Sequence, residues 1–199
     1  MSANTPAKIQ GEYTYSFTEV IDNSNLHLVE NLDEQQQVLA KMSDAGLLVE
    51  GTPGFVISTR LFHDFIEKNE LDEAIKQLVL EYSYGVETLS SAATAIRALI
   101  GKGQFTQTHN KVITSAYQQL MAELRQPQLV VKSFVPESGR EAYGFVAHQE
   151  CELTAICPQT LLQACIECFA AVYNDAAILY REEQGISAPQ VVICVSASD

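Results

Sequence analysis

The sequence predicts an α+β fold, a mixed α/β domain whose strands and helices do not alternate regularly. Residues 13–18 alternate aromatic and polar side chains, the middle third has apolar residues only at helical spacing, and the last third combines strand patterns with one long helical pattern. The predicted order of elements is therefore β-α-β-α-α-α-α-β-β-α-β. A regular doubly wound sheet is excluded, because it needs a helix between most strands.

The first half opens with a strand and a helix. Tyr13, Tyr15 and Phe17 point to one side of a half-buried strand, because side chains alternate along it. A capping-box pattern at Asn31 and three residues later predicts a helix that ends near Gly46. Proline and glycine at 53–54 then break the chain before a short strand at 55–58.

Four helices are predicted in the middle of the chain. Thr59 is the expected N-cap of the first, which buries the apolar residues between 61 and 66. The other three patterns cover residues 71–79, 89–100 and 112–124. The C-terminal part then predicts strands at 128–134 and 144–155 that can pair as a hairpin, a long helix over 158–185 with a bend at Asn174 and Asp175, and a strand at 189–195.

Charge and composition exclude several function classes. Among 199 residues, 25 are Asp or Glu and 12 are Lys or Arg, which gives a formal net charge of −13. Without a cluster of cations, neither nucleic acid nor an anionic membrane surface is an expected partner. No apolar stretch reaches membrane-spanning length and no secretory signal is visible, so we expect a cytoplasmic protein. One domain over 12–199, after a flexible N-terminus of 1–11, is the expected organisation.

Cysteine and histidine spacing offers two candidate metal or redox sites. Cys165 and Cys168 fall on one apolar helical face, which favours inert core thiols over redox or zinc chemistry. His148, Glu150 and Glu152 share one face if 144–155 is a strand. A solvated or cleft-facing polar strand is the simpler interpretation of that face, and new chemistry is the alternative, so no metal is predicted.

Familiar catalytic motifs are absent from the sequence. It contains no P-loop, no G-x-G-x-x-G and no nucleophile elbow. His27, His63 and His109 occur in ordinary contexts and are interpreted as surface or boundary residues. Arg97, near the end of an apolar helix, can either serve the helix dipole or present its guanidinium to a phosphate group.

Longer segments resemble the N-terminal ATP-binding part of the phosphoenolpyruvate synthase and pyruvate phosphate dikinase family. Residues 169–185, F-A-A-V-Y-N-D-A-A-I-L-Y-R-E-E-Q-G, resemble the family helix F-A-S-L-F-N-D-R-A-I-x-Y-R-x-x-x-G. Residues 132–150 run without a gap beside R-S-S-A-T-A-E-D-x-x-x-x-S-F-A-G-Q-x-E. Gly54, Phe55, Thr59 and Arg97 fit further family positions. The resemblance implies the first lobe of an ATP-grasp-like domain with a helical insertion between strands.

The sequence departs from the family where nucleotide phosphates would bind. The family's V-G-G-K-N lysine should lie near Val29, but residues 29–35 read V-E-N-L-D-E-Q. Lys132 replaces an arginine, which removes bidentate recognition and keeps a point charge. The resemblance leaves five candidate nucleotide-site residues: Arg97, Lys132, Ser133, Gln149 and Glu150.

We therefore expect a non-catalytic binding or regulatory module in which ATP and Mg²⁺ bind weakly or not at all. The chain ends about halfway through the family's ATP-grasp-like domain, so we expect a protein partner or self-association to cover an apolar surface. One alternative is an ATP-binding phosphotransferase component that another chain completes. The second is an enzyme with new chemistry at His148, Glu150 and Glu152.

Overall fold

The computed structural model describes residues 13–17, 52–124, 128–136, 145–153 and 157–197. The predicted flexible N-terminus, 1–11, and the predicted helix over 31–46 lie outside the described residues. Within the described ranges the chain forms five strands and six helices. The strands are β1 Thr14–Ser16, β2 Gly54–Ile57, β3 Leu129–Pro136, β4 Phe145–Leu153 and β5 Val192–Ala197. The helices are α1 Thr59–Lys68, α2 Asp72–Ser83, α3 Leu89–Lys102, α4 Gln107–Glu123, α5 Pro158–Ala171 and α6 Asp175–Gln184.

The five strands form one sheet in the order β1-β2-β5-β3-β4, and every neighbouring pair is antiparallel. The predicted pairing of β3 with β4 is confirmed. The last strand, β5, inserts between β2 and β3, so residues near the end of the chain lie at the centre of the sheet. An antiparallel sheet with its helices grouped between strands confirms a mixed α/β architecture.

The main hydrophobic core lies between the helices and one face of the sheet. Phe55, Val195 and Val131 form a row of direct neighbours across β2, β5 and β3, and all three are buried. They belong to the same core as the buried Phe62 of α1 and Phe169 of α5. The alternate strand positions therefore face away from these helices.

The first helix begins one residue earlier than the sequence pattern predicts. Ser58, in extended conformation, is the N-cap, and Thr59 is the first helical residue. The Thr59 hydroxyl instead donates a hydrogen bond to the Val191 carbonyl oxygen, at 3.0 Å. Thr59 thus joins α1 to the segment that enters β5, because its side chain is buried and satisfied there rather than at the helix end.

The long C-terminal helix is two helices. They meet at an angle of 50° around Asn174, whose side-chain oxygen accepts a hydrogen bond from the Ala177 N–H at 2.8 Å. This N-cap satisfies an amide of α6 and starts a new helix where the sequence pattern suggests only a bend. Gly185 ends α6 with φ of 68°, a left-handed conformation that glycine adopts without a steric penalty.

None of the described helices is by itself both long and apolar enough to span a membrane, although the bent pair formed by α5 and α6 satisfies those length and composition criteria jointly.

Candidate functional site

Two of the five candidate nucleotide-site residues lie on β3, between β5 and β4. Lys132 is directly opposite Cys194 on β5 and Glu150 on β4. Ser133, the next residue, is directly opposite Ile193 and Gln149. The structure therefore brings Lys132, Ser133, Gln149 and Glu150 together along the backbone of the β3–β4 pair.

Lys132 and Ser133 nevertheless belong to opposite faces of the sheet. Ser133 shares the face of Val131 and Ile193, which pack against the helices, and its side chain is fully buried. Its hydroxyl oxygen has no hydrogen-bond partner among the residues that the structure describes. Lys132 is half-buried on the other face, beside Cys194. Consecutive strand residues cannot present their side chains to one phosphate group from the same side.

A bulge interrupts the β3–β4 pair next to these residues. The register shifts between Ser133 and Phe134, so that Gln149 and Ala147 have partners on β3 whereas His148 has none. Glu150 and Glu152 are opposite Lys132 and Val130, two positions of one face. His148 therefore lies at the irregular position of the strand, where bulges redirect side chains in many functional sites.

Arg97 lies on α3 and binds protein groups. Its guanidinium donates hydrogen bonds to the Tyr173 carbonyl oxygen, at 3.0 Å, and to the Thr94 hydroxyl, at 3.1 Å. Asp175 contributes a longer ion pair at 3.8 Å. The carbonyl group of Tyr173 follows α5, so the arginine holds the junction between α5 and α6. Arg97 therefore serves the C-terminal end of α5, a different helix, whereas the sequence suggested the dipole of its own helix or a phosphate group.

Arg97 and Lys132 are on different sides of the domain. α5 packs against β3 and β4, and α3 packs against α5, so Arg97 belongs to the outer helical layer. Lys132 is on the face of the sheet that points away from those helices. The structure does not bring these two cations to one surface.

The three buried cysteines behave as apolar core residues. Cys165 and Cys168 are completely buried in α5, which confirms the interpretation of the C-x-x-C as core thiols. Burial raises the pKa of Cys165 well above its usual value. On the other face of the sheet, burial raises the pKa of Cys194 to about 12. Thiols in such surroundings are protonated at neutral pH and react slowly.

His109 is a buried residue, so its interpretation as a surface or boundary residue was wrong. Its ring is 2% exposed, it meets Tyr13 and Phe105 edge-on, and Nε2 is 3.9 Å from the Asp64 carboxylate. The Tyr13 hydroxyl donates to that same carboxylate. Burial lowers the pKa of His109, which favours the neutral ring. The helical spacing that predicts Ile113 and Leu120 as core residues, extended back one turn, would have placed His109 beside them.

No group of three or more His, Cys, Asp or Glu side chains in the described part of the chain is arranged to hold a metal ion. The class of protein that this architecture defines is a mixed α/β domain with an antiparallel sheet.

A family model described as "Pyruvate phosphate dikinase, AMP/ATP-binding domain" matches residues 31–198. The match covers most of the chain, and the chain therefore belongs to this family, which confirms the resemblance found from the sequence.

Several curated relatives are named phosphoenolpyruvate synthase. The chain is 26% identical over 151 residues to a probable phosphoenolpyruvate synthase of Methanocaldococcus jannaschii, covering 74% of this chain and 12% of the relative. Phosphoenolpyruvate synthase of Pseudomonas aeruginosa is 24% identical over 170 residues, 83% of this chain and 21% of the relative. The Escherichia coli enzyme is 27% identical over 150 residues, 75% and 19% of the two chains. The aligned part of the chain thus spans about a fifth or less of the length of these relatives.

Proposed function

We propose that this member of the AMP/ATP-binding domain family is a non-catalytic binding or regulatory module. The observation that carries the proposal is the divergence of its three candidate phosphate contacts. Arg97 is occupied by the junction of α5 and α6, Ser133 faces the core, and Lys132 is on the opposite face of the sheet. A phosphate site needs donors that converge on one point, and these side chains do not.

The sequence supports the same proposal at the family's lysine motif. Residues 29–35 contain two glutamates and an aspartate and no lysine. Negative side chains repel nucleotide phosphates, and each charged hydrogen bond that is lost costs about 1.5–3 kcal/mol. Two or three lost contacts turn a micromolar dissociation constant into roughly a millimolar one.

The proposed fold assignment is the first lobe of an ATP-grasp-like domain. An antiparallel sheet packed on helices is compatible with that assignment, and the family match over 31–198 favours it. In such a lobe the nucleotide would lie against the sheet face that carries Lys132, because the helices occupy the other face.

Isothermal titration with Mg-ATP and Mg-ADP tests the proposal. We expect dissociation constants of about a millimolar or weaker for the wild type. Lys132→Ala should bind equally weakly, and so should the control Lys111→Ala, which removes one exposed lysine of α4. A dissociation constant below about ten micromolar, lost in Lys132→Ala and retained in Lys111→Ala, would contradict the proposal and establish a nucleotide site on β3.

A second candidate function is that of an ATP-binding phosphotransferase component that another chain completes. It is favoured by the direct pairing of Lys132 with Glu150 and of Ser133 with Gln149, which keeps family residues adjacent. Transfer of radiolabelled phosphate from ATP in the presence of Mg²⁺ separates this candidate from the first. Activity lost in Lys132→Ala would favour it, whereas activity lost specifically in His148→Ala would favour chemistry on β4.

The proposed partner is a protein, either a second copy of this chain or a different one. Tyr84 and Val86, which follow α2, are 80% and 70% exposed, and Leu80 near the end of that helix is 48% exposed. Apolar side chains grouped in this way are a common feature of protein contact surfaces. Sedimentation velocity of the wild type and of Tyr84→Ser with Val86→Ser tests self-association, which the double substitution should abolish.

A further inference from the structure

A groove of about 750 Å³ opens on the helical side of the domain, away from the sheet face that carries Lys132. Its walls come from α1, α2, α6 and the segment 186–189. The lining is largely apolar. Its main apolar side chains are those of Ile66, Ile75, Val79, Ile178, Ile186 and Pro189.

Two cations line this groove: Lys76 of α2, which is paired with Asp72, and Arg181 of α6, which is 8% exposed. One guanidinium nitrogen donates to the Val172 carbonyl oxygen at 2.7 Å, and the group lies 4.9 Å from the centre of the Tyr173 ring. A guanidinium has five N–H donors. No other hydrogen bond or ion pair of Arg181 is found within the described ranges of the chain.

Among the described residues Arg181 also lacks a counter-ion, although the groove contains three carboxylates. Each of them interacts elsewhere: Asp72 with Lys76, Glu67 with Lys68 at 3.3 Å, and Glu182 with the Ser83 hydroxyl at 2.7 Å. Burial lowers the pKa of Arg181, which reflects the cost of keeping its charge out of water. A desolvated cation with unused donors is a strong site for an anion, because the charge-assisted hydrogen bonds offset that cost.

We infer that this groove binds a small molecule that has one carboxylate group and an apolar body. The carboxylate accepts two parallel hydrogen bonds from Arg181, for which a planar guanidinium is suited. The apolar body lies along Val79 and Ile178, removing those side chains from water. The volume is in the range of small-molecule sites, and a largely apolar lining with a few polar groups is their usual composition. This site is separate from the candidate nucleotide-site residues on β3 and β4, and the inference does not depend on the proposed function.

Decanoate and decanol, kept below their aggregation concentrations, separate charge recognition from simple partition into an apolar groove. Isothermal titration of the whole chain should give decanoate at least about tenfold higher affinity than decanol, because only the acid pairs with Arg181. In spectra of methyl-labelled protein, decanoate should shift Val79 and Ile178 and leave Val56, on the sheet strand β2, unchanged. Equal affinities, no binding of decanoate, or shifts outside the groove would overturn the inference.

Variants provide the second test. Arg181→Lys keeps the positive charge but loses the planar guanidinium that binds both carboxylate oxygens. We expect its affinity for decanoate to fall toward that for decanol. Because Arg181→Lys also loses the contact with Val172, a second variant, Ala188→Trp, tests the site independently. Ala188 is exposed and lines the groove, so a large ring at this position should fill the space that the ligand would occupy. Ala98→Trp, at an exposed position of α3 outside the groove, is the matched control. Decanoate binding that survives Ala188→Trp, or that Ala98→Trp abolishes equally, would refute the site.

Discussion

Replacing Arg97 by alanine should destabilise the domain without changing its affinity for ATP. The guanidinium donates to the Tyr173 carbonyl group at the end of α5 and lies 3.8 Å from Asp175, the first residue of α6. Without it, a partly buried carbonyl group loses its charged donor and the junction between two core helices loses a contact from α3. A residue with this role acts on folding, whereas a phosphate contact would act on binding.

The size of the effect follows from the exposure of the partners. A charged hydrogen bond to a buried carbonyl contributes about 1.5–3 kcal/mol. The Arg97 side chain is 34% exposed, so solvent screening reduces this value. The ion pair with Asp175, at 3.8 Å and 46% exposure of the carboxylate, adds about 0–1 kcal/mol. The expected loss of roughly 1.5–2.5 kcal/mol corresponds to a decrease in Tm of about 3–8 °C for a chain of this size.

Differential scanning calorimetry of wild type, Arg97→Ala, Arg97→Lys and Lys111→Ala measures this difference. Arg97→Lys keeps the positive charge but loses the planar guanidinium, so its Tm should lie between those of the wild type and Arg97→Ala. Lys111 is exposed on α4 and controls for the loss of one positive charge. The reasoning would be refuted if Arg97→Ala kept the Tm of the wild type within a degree while weakening Mg-ATP binding about tenfold, since that pattern identifies a phosphate ligand.

Three further outcomes are expected. Phe169→Ala should lower the free energy of unfolding by about 3–5 kcal/mol in urea titrations, because the ring is fully buried, whereas Leu179→Ala, at a 40% exposed position, should have little effect. Iodoacetamide should label Cys157 long before Cys165, because Cys157 is exposed and hydrogen bonds at the start of α5 lower its pKa, whereas burial raises that of Cys165. Mass spectrometry of the labelled native protein measures this order. Because burial lowers the pKa of His109 in the folded state, the unfolded chain binds the proton more tightly, and stability should decrease as pH falls below about 6.5. Urea unfolding at pH 7.5 and 5.5 checks this, and a loss of equal size in His109→Gln would assign it to other groups.

Periodicity predicted the elements whose burial is one-sided. The four helices of the middle third and the β3–β4 pair occur where apolar spacing places them, because β3 and each of these helices bury one face against the core. Predictions failed at positions where a single polar side chain decides a boundary. Ser58 rather than Thr59 is the N-cap of α1, since the Thr59 hydroxyl bonds the Val191 carbonyl oxygen, and the Asn174 side chain starts a second helix; apolar periodicity encodes neither hydrogen bond.

The candidate site was predictable as a set of residues but not as an arrangement. Alternation along a strand separates Lys132 from Ser133 once the described helices are known to pack against the face of β3 that carries Ser133. Arg97 lies in the outer helical layer because α3 packs against α5. The residue spacing within either helix does not predict this packing. Arg181 was missed for the same reason, since its groove forms where α6 meets α1 and α2, which lie far from it in sequence.

The segments that most resemble the family have structural functions in this fold. Asn174 caps α6, Arg181 satisfies the Val172 carbonyl group, and Gly185 ends the helix in a left-handed conformation. Gly54 is equally constrained, because a Cβ atom there would lie 2.7 Å from the Val195 carbonyl oxygen. Each of these residues serves the fold itself, so a resemblance at these positions does not indicate what the domain binds. The departures from the family fall instead at positions that the resemblance assigns to phosphate contact. A fold preserved by its caps and close contacts can therefore lose nucleotide binding without losing its family resemblance, and this combination is the physical basis for proposing a binding module rather than an enzyme.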